Sequence, residues 1–138
     1  MHIMIDTNIV ISAILYPQSI ISKILKHIVA YNKLILSQYT IDEIHKVFKK
    51  KFPHRINEMD NFLKKLPYEL FILTEINAIK FPNIRDIDDL PILANAIESN
   101  ADILITGDKD FDGIEIKKPK ILKPRMYFEK YIETQNSV

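Results

Sequence analysis

The 138-residue sequence contains no cysteine. Disulfides and thiolate metal sites are therefore excluded, and the composition fits a reducing compartment. With 19 basic and 18 acidic residues, the formal net charge is only +1, so the protein has no overall field that would attract a polyanion. Any contact with nucleic acid must come from a local basic surface.

Long apolar runs are also missing from the sequence. The apolar runs are well below the roughly 20 residues that a membrane helix needs, and the first residues lack the basic and then apolar pattern of a signal peptide. We therefore expect a cytoplasmic protein with no membrane contact. Since no repeat or linker divides the sequence, we predict one domain over residues 1–133 and a frayed tail at 134–138.

What is present is a globular composition, with 47% hydrophobic and 27% charged residues. A buried strand at Ile3–Ile5, an amphipathic helix over Ser19–Tyr31 and a strand at Leu34–Leu36 predict a right-handed parallel crossover and an α/β fold. Pro17 is expected to end the loop before this helix. Later strands are predicted at Tyr68–Leu73, at Ile103–Thr106, and at an edge formed from Ile114–Ile116 and Ile121–Leu122. Later helices are predicted from Ser37 or Thr40, over His54–Leu66, at Asn77–Phe81 as one turn, from Asp86 to Ser99, and over Met126–Ile132.

Carboxylates stand at four places near a strand end or a helix start, namely Asp6, Glu43, the group Asp86, Asp88 and Asp89, and the pair Asp108 and Asp110. Each has a purely structural interpretation. Asp6 or Asn8 could cap a helix, Thr40 and Glu43 could form a capping box, one of the three central aspartates could be an N-cap, and the last pair could serve a turn with Gly107.

Topology argues against four independent structural roles. In a parallel sheet, the chain after Ile5, the chain after Ile105 and the helix start at Asp89 fall on the same edge. Carboxylates gathered there would repel one another unless a cation neutralised them. Oxygen ligands, without cysteine and with histidines scattered at 2, 27, 45 and 54, select Mg²⁺ or Mn²⁺ over Zn²⁺. Such a site suits phosphodiester hydrolysis.

The ordered motifs resemble the PIN domain family, in particular its VapC-like toxin branch. They are Asp6-Thr7-Asn8 after the first strand, Glu43 in the second predicted helix, the segment from Arg85 to Ala96, and Thr106-Gly107-Asp108-Lys109-Asp110-Phe111. The resemblance implies a three-layer α/β/α sandwich around a mostly parallel sheet of four to five strands. It also implies a metal-dependent endoribonuclease.

By this resemblance, the catalytic acids are Asp6, Glu43, Asp89 and Asp108, of which Asp6, Asp89 and Asp108 bind Mg²⁺ or Mn²⁺. Asn8, Thr106, Asp88 and Asp110 are expected to support them. The motif alignment favours Asp89 over Asp88 as the ligand, and the choice matters because one residue along a helix rotates the side chain by about 100°.

Two basic segments flank the predicted acidic site. One comprises Lys117, Lys118, Lys120, Lys123 and Arg125, and the other comprises Lys46, Lys49, Lys50, Lys51 and Arg55. They are either solvated faces or surfaces that guide an RNA backbone, and we predict the first to bind RNA. The resemblance further implies a homodimer and an antitoxin partner that covers the acidic groove.

Two other functions remain possible from the sequence. A non-catalytic PIN-like RNA-binding module would bind RNA without metal-dependent cleavage. A phosphohydrolase with an aspartyl nucleophile at Asp6 is disfavoured, because such enzymes usually carry a second aspartate two residues later, where this chain has Asn8.

Overall fold

The computed structural model describes residues 1–73 and 90–134. From the N-terminus, the elements are β1 (His2–Ile5), α1 (Thr7–Leu15), α2 (Ile20–Tyr31), β2 (Lys33–Ser37), α3 (Gln38–Lys51), a 3₁₀ turn (Pro53–Arg55), α4 (Ile56–Lys65) and β3 (Glu69–Phe71). They continue with α5 (Leu90–Glu98), β4 (Ile103–Ile105), a second 3₁₀ turn (Lys109–Phe111), β5 (Lys120–Leu122) and α6 (Pro124–Tyr127), which runs on as a π-helix over Phe128–Glu133.

The described strands form one sheet in the order β3-β2-β1-β4-β5, and every pairing is parallel. The first strand is central, with Met4 opposite Ile35 of β2 and Leu104 of β4. The helices α1 and α2 join β1 to β2, α3 and α4 join β2 to β3, and the connection from β4 to β5 contains only the second 3₁₀ turn. The carboxyl ends of β1 and β4 therefore lie side by side.

Helices cover both faces of the sheet. Ile3 and Ile5 point into a core shared with α1 to α4 and Tyr127, whereas Met4 points into a second core with α5 and Phe111. Ile3, Met4 and Ile5 are all fully buried, which is why the first strand has no polar alternation. The predicted three-layer α/β/α arrangement around a parallel sheet is confirmed.

Local sequence signals set several element ends. The Ser19 and Ser37 hydroxyl groups cap α2 and α3 by accepting hydrogen bonds from the backbone N–H groups of Ser22 and Thr40. Asn100 follows α5 with a φ of 60°, the left-handed conformation that asparagine tolerates at a helix end. Ser37, rather than Thr40, is thus the cap of the helix that carries Glu43.

Two predicted elements are wrong. The segment before Pro17 contains the nine-residue helix α1 rather than only a loop; because it is buried on most sides, its sequence lacks the polar face that marks a surface helix. Residues 114–116 form no strand, and the edge strand starts at Lys120, after a proline that cannot donate to a ladder.

Other predictions cannot be compared with the structure. The single turn at Asn77–Phe81 and the helix start at Asp86 lie outside the described residues, as does nearly all of the predicted tail. In the described ranges, no single helix is both long and apolar enough to span a membrane; α1 and α2 meet that test only as a pair, bent by 111° at their break.

Candidate active site

Asp6 lies where β1 ends and α1 begins. Its backbone N–H donates to the Ile105 carbonyl at 3.0 Å, which ties it to the end of β4. Its side chain makes no capping hydrogen bond of standard geometry to α1. Instead, its Oδ2 accepts a hydrogen bond from the Thr106 hydroxyl at 2.6 Å. The carboxylate is therefore held by the neighbouring strand end rather than used mainly as a helix cap.

The environment of Asp6 disfavours its charged form. Burial raises the pKa of this carboxyl, and the nearby Asp108 charge raises it further. The Thr106 hydroxyl and the amides of Thr7 and Asn8 lower the pKa, but they do not outweigh burial. A cation beside Asp6 and Asp108 would relieve both unfavourable contributions.

Asp108 follows β4 and organises the turn after it. Its Oδ1 accepts from the Asp110 backbone N–H at 2.9 Å, and its own N–H donates to the Thr106 hydroxyl at 3.1 Å. The structural role considered for Asp108 therefore exists. Because the Thr106 hydroxyl bonds both acids, it couples the position of Asp108 to that of Asp6.

Glu43 reaches the same region from α3. The helix starts at Gln38 after the Ser37 cap, so Glu43 is past the first turn and the proposed capping box with Thr40 is wrong. A chain of hydroxyl groups secures this helix against α1: the Ser37 hydroxyl donates to that of Thr40 at 3.1 Å, and the Thr7 hydroxyl donates to that of Thr40 at 3.5 Å.

These elements enclose a cleft of about 180 Å³. Its walls include the predicted site residues Asp6, Asn8, Glu43 and Asp108, together with Thr7, Tyr39, Val47, Ile92 and Phe111. We call it the acidic cleft. Three of the four predicted catalytic acids thus face one space, although they come from three separate parts of the chain.

The other predicted residues divide into two groups. Thr106 bonds Asp6 but does not line the acidic cleft, and Asp110 contributes its backbone N–H to Asp108 and does not line the cleft either. Asp88 and Asp89 lie outside the described residues. Within residues 1–73 and 90–134, no group of three Asp, Glu or His side chains is arranged to hold a metal ion.

The basic segment after β4 is split by the fold. Lys118 pairs with Asp102 at 3.3 Å. Since the Asp102 carboxylate also accepts a hydrogen bond from the backbone N–H of His2, this ion pair lies at the end of the sheet where β1 begins. Arg125 pairs with Glu129 at 3.1 Å, and Lys117 is exposed. Lys120 and Lys123 line a second cleft that includes Asp108.

A cavity larger than the acidic cleft lies away from these acids. It measures about 570 Å³ between α1, α2 and α4, and its lining is mostly apolar. It brings together no carboxylate pair, so the chemistry is better sought in the smaller acidic cleft.

Sequence reasoning missed two contributors to the site. In the sequence, Thr7 is only the middle residue of the Asp6-Thr7-Asn8 motif and Thr40 is only a candidate cap. In the structure, their hydroxyl groups join α1 to α3 beside Glu43. The Ser37-x-x-Thr40 spacing is the sequence signal for this contact. A serine cap bonds the residue three positions later, and here that residue carries a second hydroxyl group.

Comparison with known proteins gives a family. The sequence model described as "PIN domain" matches residues 2–110. Among solved structures, the crystal structure of VapBC2 from Rickettsia felis bound to a DNA fragment from their promoter contains a similar chain, with 22% identity and a TM-score of 0.69. The match covers 89% of this chain and 98% of that one, and it shows a shared fold. No curated protein matches the sequence. Since the family model spans most of the chain, the protein belongs to the PIN domain family.

Proposed function

We propose that the protein is a metal-dependent endoribonuclease that hydrolyses RNA phosphodiester bonds, and that it is the toxin of a type II toxin–antitoxin pair. The observation that carries the proposal is the acidic cleft, where Asp6, Glu43 and Asp108 line one space. Membership of the PIN domain family supports a nuclease function.

The donor chemistry of the acidic cleft fits Mg²⁺ or Mn²⁺. Asp6 and Asp108 are close enough for one charge to raise the pKa of the other group, and carboxylate oxygens are the ligands these ions prefer. We propose that both bind the metal and that Asp89 completes the set. When bound, such an ion lowers the pKa of a water molecule and stabilises charge on the leaving oxygen.

The remaining residues act on the positions of these groups and on the substrate. Thr106 fixes Asp6 through its hydroxyl group, Asn8 lines the cleft beside it, and Asp110 fixes the Asp108 side chain through its backbone. Asp88 is proposed to support Asp89. Glu43, presented by α3, is proposed to orient the attacking water and to accept its proton.

Partners are part of the same proposal. The similar solved chain belongs to a structure of VapBC2, which supports an antitoxin partner for this protein. We further propose a homodimer, and an RNA substrate whose backbone contacts the part of the basic segment that lies beside the acidic cleft. Lys118, which pairs with Asp102 at the other end of the sheet, is not part of this contact.

A non-catalytic RNA-binding module is the second candidate. The bond from the Asp110 N–H to Asp108 favours it in one respect, since that aspartate would be useful to the fold even without a metal. Such a module would bind RNA and would not cleave it under any metal condition.

The test is cleavage of single-stranded RNA by purified protein with Mn²⁺ or Mg²⁺, and with EDTA. We expect cleavage only with metal, loss of cleavage in Asp6→Asn and Asp108→Asn, and retention in Asp102→Asn. Asp102 is a matched control, because the same chemical change is made at the opposite edge of the sheet. Undiminished cleavage in Asp6→Asn and Asp108→Asn would overturn the proposal, and RNA binding without any cleavage would favour the second candidate.

A further inference from the structure

A second cleft adjoins the acidic cleft. It has a volume of about 360 Å³, and both clefts are lined by Asp108 and Phe111. The second cleft continues from Thr106 along the edge strand β5 to Lys120 and Lys123. A chain molecule that occupies the acidic cleft can therefore extend into this neighbouring space without leaving the protein surface.

Lys120 and Lys123 bring two ammonium groups to this second cleft, whose walls also include Asp108 and Asp112. Lys123 lies 3.4 Å from an Asp112 carboxylate oxygen, so its charge is partly balanced. Lys120 forms no ion pair within the described part of the chain. It also lines a groove of about 370 Å³ that contains Lys130 of the last helix. The ammonium groups of Lys120 and Lys130 repel each other, and an anion bound to Lys120 would offset that repulsion.

The titration behaviour of Lys120 agrees with this geometry. The neighbouring Lys130 lowers the pKa of the Lys120 ammonium, through a side-chain hydrogen bond and charge repulsion. A phosphate beside the Lys120 ammonium would favour its charged form.

Neighbouring cations in the same sequence segment are placed differently. Lys118 is paired with Asp102 and does not line the second cleft. Arg125 is paired with Glu129 and is also absent from its walls. The fold thus selects Lys120 and Lys123 from a segment that looks uniformly basic in the sequence.

We propose that the second cleft binds the nucleotide next to the cleaved phosphodiester of a single-stranded RNA, with the Lys120 ammonium on its phosphate and Lys123 beside it. The inference rests on the proposed function. A volume of about 360 Å³ is at the lower end of small-molecule pockets, which suits one nucleotide unit. Ile121 and Met126 also line the cleft and supply an apolar wall for the sugar and base.

Binding of a fluorescent single-stranded oligoribonucleotide, followed by anisotropy at several salt concentrations, tests the inference. Ca²⁺ replaces Mg²⁺ or Mn²⁺, and a gel verifies that the oligonucleotide remains intact. The variants are Lys120→Gln and Lys123→Gln, with Lys120→Arg as the charge-conserving change and Lys118→Gln as the matched control from the same segment.

We expect Lys120→Gln to raise Kd and to reduce the slope of log Kd against log salt by about 0.7, the value for one phosphate contact on a single strand. Lys120→Arg should restore the slope, Lys123→Gln should shift it in the same direction as Lys120→Gln, and Lys118→Gln should leave it unchanged. A merely structural role for Lys120 would not alter a salt slope.

If Lys120→Gln and Lys118→Gln behave alike, the inference is wrong, while metal-dependent cleavage by the wild-type protein would still support the proposed function. If the wild-type protein binds no single-stranded RNA, both the inference and the proposed function fail.

Discussion

Replacing Thr106 by valine tests how the site is held together. Thr106 is only 1% exposed, and its hydroxyl donates to Asp6 Oδ2 at 2.6 Å and accepts from the Asp108 N–H at 3.1 Å. Valine keeps the shape of the side chain but removes both hydrogen bonds. The bond to the carboxylate is charge-assisted and short, and its loss should cost about 2 kcal/mol.

For a chain of this length, about 2 kcal/mol corresponds to a decrease in Tm of roughly 6–8 °C. The pKa of Asp6 should also rise further, because the Thr106 hydroxyl is the largest influence that lowers it. Thermal unfolding measures the first effect, and NMR titration of the Asp6 carboxyl without metal measures the second.

Thr106→Ser is the control for this prediction. It keeps the hydroxyl and loses one methyl group, which costs about 0.8 kcal/mol, and the pKa of Asp6 should stay close to the wild-type value. The reasoning is refuted if Thr106→Val is as stable as Thr106→Ser and leaves the pKa of Asp6 unchanged.

Three further predictions concern stability without metal. The raised pKa of Asp6 means that the folded state favours its protonated form, so the contribution of Asp6 to stability should be lost as pH rises from 3.8 through the raised pKa. Urea unfolding of Asp6→Asn should lack this component, and identical pH profiles for the variant and the wild-type protein would contradict it. The backbone N–H of His2 is the main cause that lowers the pKa of Asp102, and Lys118 lowers it further. The contribution of Asp102 to stability should therefore be present above pH 3.8 and disappear as pH falls through the lowered pKa; an equal loss of stability in Asp102→Asn at pH 7 and in strong acid would argue against this. Ser37→Ala removes a fully buried cap and should cost about 1 kcal/mol in thermal unfolding, which wild-type stability in the variant would disprove.

Much of the fold was predictable because the sheet is buried. Apolar triplets such as Ile3-Met4-Ile5 and Ile103-Leu104-Ile105 are strands covered on both faces. Parallel pairing was indicated by the order of the first strand, the amphipathic α2 and the strand at Leu34–Leu36. Burial also explains why α1 was not predicted. A helix that is surrounded by core residues lacks the alternation of apolar and polar faces by which helical periodicity is detected in a sequence. The predicted edge strand was too long because the alternating isoleucines at 114 and 116 are typical of a strand, although residues 114–116 form none.

The candidate site was predictable where strand ends determine position. Asp6 and Asp108 follow adjacent parallel strands, so topology brings them together. The position of Glu43 in its helix depended on whether the N-cap was Ser37 or Thr40, and the local sequence alone left that choice open. Which lysines of the basic segment lie near the site was not predictable. The strand β5 runs through this segment, so Lys118 lies at one end of the sheet beside Asp102 and Lys123 lies at the other end, in the second cleft.

The central claim is that Asp6 and Asp108 share a divalent metal ion, and a crystal soaked in Mn²⁺ tests it most directly. We predict anomalous density in the acidic cleft between these two carboxylates, and its loss in Asp108→Asn crystals soaked in the same way. Crystals of the wild-type protein with no manganese density in the acidic cleft at saturating Mn²⁺ would contradict the account.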